Sequence, residues 1–288
     1  MQSSQDNFID KTSNIISIKK ETKIYVPGIY DISNDEYHSS NGVSRSALML
    51  FKKSPLHYAD KYIHGNNKKD TKAISVGKAV HKYILEPNKF NDEYYVADKV
   101  DRRTTEGRKR YNEMLCESNN KELILADDFN LIESLGNAIL NHHTASLFLK
   151  DAKVEKSIYW RDCLADVMVK CRPDILLSNI TADIKTTEDA SYKEFTRDVF
   201  KYGYHIQAAM MQDGIYHVLN KKIETFVFIA VEKKPPYAVA IYSIGQDVIE
   251  FGHKEYKETL KEFRDHQETN DWSGYKTQTI NLPAYYQG

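Results

Sequence analysis

The apolar residues of the chain follow a helical period up to about residue 150, and from Val154 the period switches to that of strands. In the first part, Ser44 is placed to cap a helix running to about Lys53, and Pro55 restarts a second helix that Gly65 ends. In AISVGKAVHKYILEP, the residues Val76, Ala79, Val80, Tyr83 and Ile84 recur at helical spacing and form one stripe to be buried. His81 borders that stripe, and Glu86 stands just before Pro87. A further helix is expected from about Asp127 to His142, with Leu131, Leu135, Ile139 and Leu140 turned inward and Glu133 among them. From Val154, KVEKSIYW, DVMVKC, PDILL and ITADIKTT predict a meander of strands. Helices over Asp189 to Tyr202 and Tyr204 to Leu219 follow, then the strands IETFVFIAVE and YAVAIYSI, then a last helix from Gln246 to His266. Residues 1–24 are polar and predict a loose arm, though Ile15 to Ile18 offers an edge strand, and Asp31 to Asn41 is rich in turn formers.

Helices, strands, helix and strands in this order predict an α/β domain over residues 25–288, with no boundary better marked than the loop near residue 100. Composition changes little in that picture. A net charge of −1 argues against a wholly basic nucleic-acid coat but leaves room for a local basic groove. No apolar run approaches the roughly 20 residues of a membrane span, and the N-terminus lacks the layout of a signal peptide. Cys116, Cys163 and Cys171 are too widely spaced for a disulfide framework, a zinc site or a four-cysteine cluster, which points to a reduced, cytoplasmic protein.

Two stretches carry candidate chemistry. In CRPDILLSNITADIKTT, Asp174 stands on one strand-like run with Ile175, Leu176 and Leu177, and Asp183 and Lys185 share one face of the next while Ile184 points to the other. Two carboxylates beside one lysine suit a hard divalent cation, with the lysine near the group under attack. An Asp-x-Lys is often only a solvated strand edge. Here both acids lie inside apolar runs, where an ionised group is costly unless paired or metal-bound. The second stretch, DKVDRRTTEGRKR, gathers Arg102, Arg103, Arg108, Lys109 and Arg110 and reads either as a DNA-backbone contact or as a solvated segment. The loop NNKKDTK (66–72) admits the same two readings, and His81 reads as a satisfied structural histidine or as a ligand.

The stretches GIYDISNDEYH, GVSRSAL, SVGKAVHKYILEP, DRRTTEGRK, SIYW, CRPDILL, DIKTT and YHIQAAMMQDG, in this order from Gly28 to about Pro283, resemble the exonuclease VIII family. Those are phage recombination exonucleases of the PD-(D/E)xK superfamily. The resemblance implies a restriction-endonuclease-like core at about 154–245, with a mixed central sheet flanked by helices and an N-terminal helical elaboration. It also implies a Mg²⁺-dependent exonuclease acting on linear double-stranded DNA from 5′ ends to leave 3′ tails, with Mn²⁺ as a substitute. A ring-shaped homo-oligomer, a single-strand annealing partner and a phage or prophage gene working in a bacterial cytoplasm are implied as well. On this resemblance Asp174 and Asp183 are metal ligands, Lys185 is the lysine of the motif, and His81 is the histidine of a G-x-x-x-H helix with Gly77 in register. Gln207 matches the glutamine that follows the core. The tyrosine expected four residues later is Met211 here, with Tyr204 a substitute. One more glutamate is expected, and Glu133 and Glu86 both qualify. The Ile184 carbonyl is a candidate extra oxygen ligand. A catalytically decayed DNA-binding or assembly factor, a single-strand-specific nuclease and an endonuclease of the same core are the alternatives.

Overall fold

The structure is a computed structural model that describes residues 22–66 and 70–282, so most of the expected N-terminal arm, including the Ile15 to Ile18 strand, and part of the 66–72 loop lie outside the described residues. Its strands are β1 (Gly28–Tyr30), β2 (Tyr94–Ala97), β3 (Glu122–Leu125), β4 (Lys153–Val154), β5 (Ser157–Arg161), β6 (Met168–Cys171), β7 (Ile175–Leu176), β8 (Ile180–Thr187), β9 (Thr225–Glu232) and β10 (Val239–Ser243). The strands after Val154 do not form the single meander expected of them. A mixed sheet runs in the order β10-β9-β8-β7-β4, with β8 and β9 parallel, while β1, β5 and β6 form a separate antiparallel sheet in the order β1-β5-β6. The chain leaves the larger sheet after Val154, makes the β5-β6 hairpin, and returns at Ile175. Two residues that interrupt a strand mark the crossings. Glu155 has left-handed backbone (φ 52°), and Pro173 has no N–H to continue a ladder.

The helices are α1 (Asn34–Ser39), α2 (Arg45–Lys53), α3 (Pro55–Tyr58) running into a π-helical turn (Ala59–Ile63), α4 (Lys72–Leu85), α5 (Pro87–Glu93), α6 (Thr105–Glu117), α7 (Ala126–Asn141), α8 (His143–Leu149), α9 (Tyr192–Lys201), α10 (Tyr204–Leu219) and α11 (Gln246–Thr269). Short polar residues start several of them. Ser44 accepts from Ala47 N–H, Thr71 from Ile74 N–H and Thr104 from Gly107 N–H. Two elements differ from expectation for local reasons. Asp31 to Asn41 contains α1, whose cap is Ser33 accepting from Glu36 N–H; its six residues are too few to show a period. The charged stretch near residue 100 contains α6, which is the crossover between the parallel strands β2 and β3.

The strand period decides which helices cover which face. Along β9, Val227, Ile229 and Val231 face one core with Ala182 and Ile184 of β8 and the buried stripe of α4 and α7. Phe226, Phe228 and Ala230 face the other core, with α2, α10 and α11. Each fully buried aliphatic side chain contributes about 1.5–3 kcal/mol, which is why short strands such as β7 hold their place. Asp183 pairs with Phe228 and Lys185 with Ala230, so both are turned toward α10. Among the described residues no helix is long and apolar enough to cross a membrane.

Candidate active site

Three acids stand side by side where the two sheets part. Val154 pairs with Ile175, and Ile175 with Ala182. One residue beyond each pair lie Glu155, Asp174 and Asp183, on three adjacent strands. The Glu155 N–H donates to the Asp174 carbonyl at 3.2 Å, and the Ile184 N–H donates to Asp174 Oδ2 at 2.7 Å. His81 reaches the row from α4. Its Nε2 donates to the Ile184 carbonyl at 2.9 Å, and its Nδ1 lies 3.3 Å from Asp174 Oδ2. Ligand atoms of His81, Glu155 and Asp174 all lie within 4.8 Å of one another, a group able to hold a metal ion. Lys185 is ion-paired with Asp183, and its ammonium stands 4.6 Å from the centre of the Tyr204 ring. Gln207 Nε2 donates to Asp183 Oδ1 at 2.6 Å.

Three carboxylates share the site with His81, Lys185 and Arg172, and the repulsion among the acids shows in their titration. Burial pushes the Glu155 carboxyl up to about 7, and the charge of Asp174 adds to the effect. Asp183 is also raised, by burial and then by Asp174, against the pull of Lys185. Burial opposes ionisation of Asp174 too, but His81, Lys185 and the Ile184 N–H hold it below the ordinary carboxylate range. His81 is lowered by burial and more than restored by Asp174, reaching about 9. Asp183 Oδ2 touches the Lys185 ammonium yet accepts no well-formed hydrogen bond, and Gln207 Oε1 is buried with no partner among the described residues. A row of mutually repelling carboxylates with spare oxygen lone pairs fits a hard divalent cation.

The structure brings Asp174, Asp183, Lys185, His81 and Gln207 together, and it corrects the remaining acid. Glu133 is exposed on α7, and Glu86 faces the cleft but is held by Lys82 at 2.5 Å and Lys89 at 2.6 Å. The acid beside Asp174 is Glu155, which sequence reasoning does not single out. The Ile184 carbonyl, expected as a further ligand, is occupied by His81. Met211 is buried in the cleft wall, while Tyr204 supplies the aromatic ring at Lys185. Gly77 lies beside Thr186 with room for a Cβ.

Glu155, Asp174 and Lys185 form the floor of a cleft of about 410 Å³, walled by α1, the start of α2, α4 and α10, with Asp183 buried against Lys185. The basic stretch is not part of that wall. Arg103 is held by Asp101, Arg110 by Glu117 and Glu113, and Arg102 lies over Tyr111, whereas Arg108 and Lys109 project from the first turn of α6. The wall carries other cations. Arg172 is 3.8 Å from Glu155 and is anchored by Ser157 Oγ and the Ile32 carbonyl. Lys170 is buried and donates to the Tyr37 carbonyl at 2.6 Å and the Ser40 carbonyl at 2.8 Å.

Burial, with Arg172 adding repulsion, lowers Lys170 to about 8 from an ordinary 10.5. Between those values the unfolded chain binds a proton that the folded chain has released, so stability rises with pH there. Lys170→Met is expected to flatten the rise in unfolding free energy measured from pH 8 to the onset of tyrosine ionisation. A slope equal to that of the wild type would show that Lys170 does not titrate in the window.

A mixed sheet covered by helices on both faces, with Asp174 leading to Asp183-Ile184-Lys185 beside it, defines a PD-(D/E)xK nuclease fold. Within that class the chain belongs to the family described as PDDEXK-like domain of unknown function (DUF3799), which matches residues 44–282. No curated protein matches the chain. Among solved structures, the crystal structure of a provisionally assigned exonuclease from Eubacterium rectale is similar over 88% of this chain and 97% of its own, with a TM-score of 0.57 and 14% identity. At that identity the likeness is one of fold.

Proposed function

We propose that the protein is a Mg²⁺-dependent exodeoxyribonuclease that hydrolyses linear double-stranded DNA from 5′ ends and leaves 3′ single-stranded tails. The observation that carries this reading is the group His81, Glu155 and Asp174 beside Lys185 at the floor of a cleft lined by cations, with Asp183 paired to that lysine. Glu155, Asp174 and His81 Nδ1 would hold the ion, with Asp183 next to them. When bound, such an ion supplies an acidified water and neutralises charge on the phosphate. His81 Nε2 is fixed on the Ile184 carbonyl, so Nδ1 is the nitrogen presented to the site. Gln207 fixes the Asp183 carboxylate, and Lys185 steadies the charge that develops on the scissile phosphate. The ring-shaped assembly, the single-strand annealing partner and the cytoplasmic setting belong to the same proposal. They rest on the similarity to exonuclease VIII in the stretches from Gly28 onward. The test is release of label from 5′-labelled and 3′-labelled linear duplex, with and without Mg²⁺ or Mn²⁺. Release independent of divalent ions, or from circular DNA alone, rejects the reading.

Within this proposal the α6 segment touches the DNA backbone away from the cleft, through Arg108 and Lys109, the two members of the basic stretch without a side-chain partner among the described residues. Removing one cation from a phosphate lowers the slope of log affinity against log salt by about 0.9. Replacing both by alanine is expected to lower that slope by about two in a Ca²⁺ titration. An unchanged slope removes α6 from the interface.

A further inference from the structure

Cations and aromatic rings adjoin one another from the half-buried Lys185 of the site out to solvent. Lys185 Nζ lies 4.6 Å from the Tyr204 ring centre, and the Arg45 guanidinium lies 5.8 Å from the same ring. The Tyr202 ring is 5.7 Å from that of Tyr204, tilted by 35°, and Lys201 Nζ stands 5.0 Å over Tyr202. Arg45 Nη1 donates to the Tyr202 carbonyl at 3.0 Å, tying the start of α2 to the corner between α9 and α10. Lys185, Tyr204 and Arg45 line the cleft, while Tyr202 is 44% exposed at its rim.

The corner is built to hold this arrangement. Gly203 has left-handed backbone (φ 67°), and Met49 Sδ lies 2.6 Å from where a Cβ would stand, so the turn that presents Tyr202 favours glycine. Tyr202 is not part of either large core, and none of the acids of the site needs it. A rigid turn presenting an exposed ring beside two cations has the chemistry that single-stranded nucleic acid requires, because rings take bases and cations take phosphates. The size of the cleft agrees. At about 410 Å³ it is of the size that takes a small molecule or a nucleotide.

Resting on the nuclease reading, we propose that Lys201, Tyr202, Arg45 and Tyr204 form a single-strand track: a base next to the scissile position stacks on Tyr202, and Arg45 takes the neighbouring phosphate. The track holds a DNA end in its unpaired state, so ends carrying a few unpaired nucleotides are bound more tightly than blunt ends.

The experiment uses the full chain in Ca²⁺ and duplex DNA with a short unpaired end carrying 2-aminopurine at its last positions, alongside the blunt duplex. The wild type is expected to quench the 2-aminopurine on binding. Tyr202→Ala is expected to lose the quench and to bind the unpaired end about tenfold more weakly, the weight of one base–aromatic stack. Tyr202→Phe is expected to keep both, with thermal midpoints equal among the three proteins. Wild-type quench and affinity in Tyr202→Ala, or equal losses in Tyr202→Phe, overturn the track while leaving the nuclease reading in place. A wild-type protein that neither binds nor cleaves DNA with any divalent ion overturns both.

Discussion

Glu155→Gln is expected to abolish divalent-ion-dependent cleavage and, in the absence of metal, to make the protein more stable. Glu155 faces Asp174 across adjacent strands, and burial together with that charge raises its carboxyl to about 7 from an ordinary 4.5. A raised acid favours the folded state while protonated, and that advantage is lost as pH rises through the folded value. The metal-free wild type should therefore lose stability between about pH 4.5 and 7, by on the order of 3 kcal/mol before coupling to Asp174 and His81 reduces it. Glutamine keeps the shape and removes the charge, so the loss over this window should shrink and the thermal midpoint at neutral pH should rise by at least about 2 °C. Metal reverses the order. A bound ion stabilises the wild type by about 2.7 kcal/mol at a hundredfold excess over its Kd, and the variant should gain little. Thermal melts with and without Mn²⁺, beside a cleavage assay, check all three effects. Near-normal cleavage in Glu155→Gln, or an undiminished metal-induced shift, would remove Glu155 from the site.

How much of this arrangement can be read in the sequence depends on how local its causes are. Asp183 and Lys185 are legible because strand alternation alone puts them on one face, whereas Gln207 is legible only through the resemblance of YHIQAAMMQDG to the exonuclease VIII family. Val76, Ala79, Val80 and Ile84 are legible as a buried stripe because α4 is long enough to show its period, and they carry His81 to the sheet. Glu155 is not legible. Its place depends on the pairing of β4 with β7, which are far apart in sequence, and on a left-handed residue that lets the chain change sheets. Within KVEKS it resembles an ordinary solvent-facing charge. The available signal is the break itself, a charged run between two apolar strands with an acid just before SIYW. Glu86 and Glu133 both match the further glutamate that the resemblance implies, yet side-chain pairing removes the first and exposure the second. The division of the strands into two sheets is illegible for a related reason: hairpin spacing shows which strands are neighbours, not which sheet they join.

Lys185→Ala is expected to lower turnover by about two to three orders of magnitude, the effect of removing one preorganised electrostatic contact, and Lys185→Arg is expected to do nearly the same. The ammonium is held as a point charge between the Asp183 carboxylate and the Tyr204 ring. Arginine keeps the positive charge but spreads it over a longer planar fork, which cannot occupy that gap without displacing the ring or the carboxylate. DNA binding measured in Ca²⁺ should stay within a few-fold of wild type in both variants, because the cleft wall keeps Arg45, Lys78 and Arg172. Folding should survive as well. Asp183 loses its counter-ion, but burial and Asp174 already push its carboxyl toward the protonated form, and Gln207 still donates to it. The informative quantity is therefore kcat at saturating DNA in Mg²⁺, compared across the wild type, Lys185→Ala and Lys185→Arg. Wild-type kcat in Lys185→Arg would show that the site needs only a positive charge there. A loss confined to Kd would show that Lys185 holds the substrate without acting on the developing phosphate charge. A large fall in kcat with Kd intact places the lysine at the reacting phosphate, since only an interaction stronger in the transition state than in the bound substrate changes one and not the other.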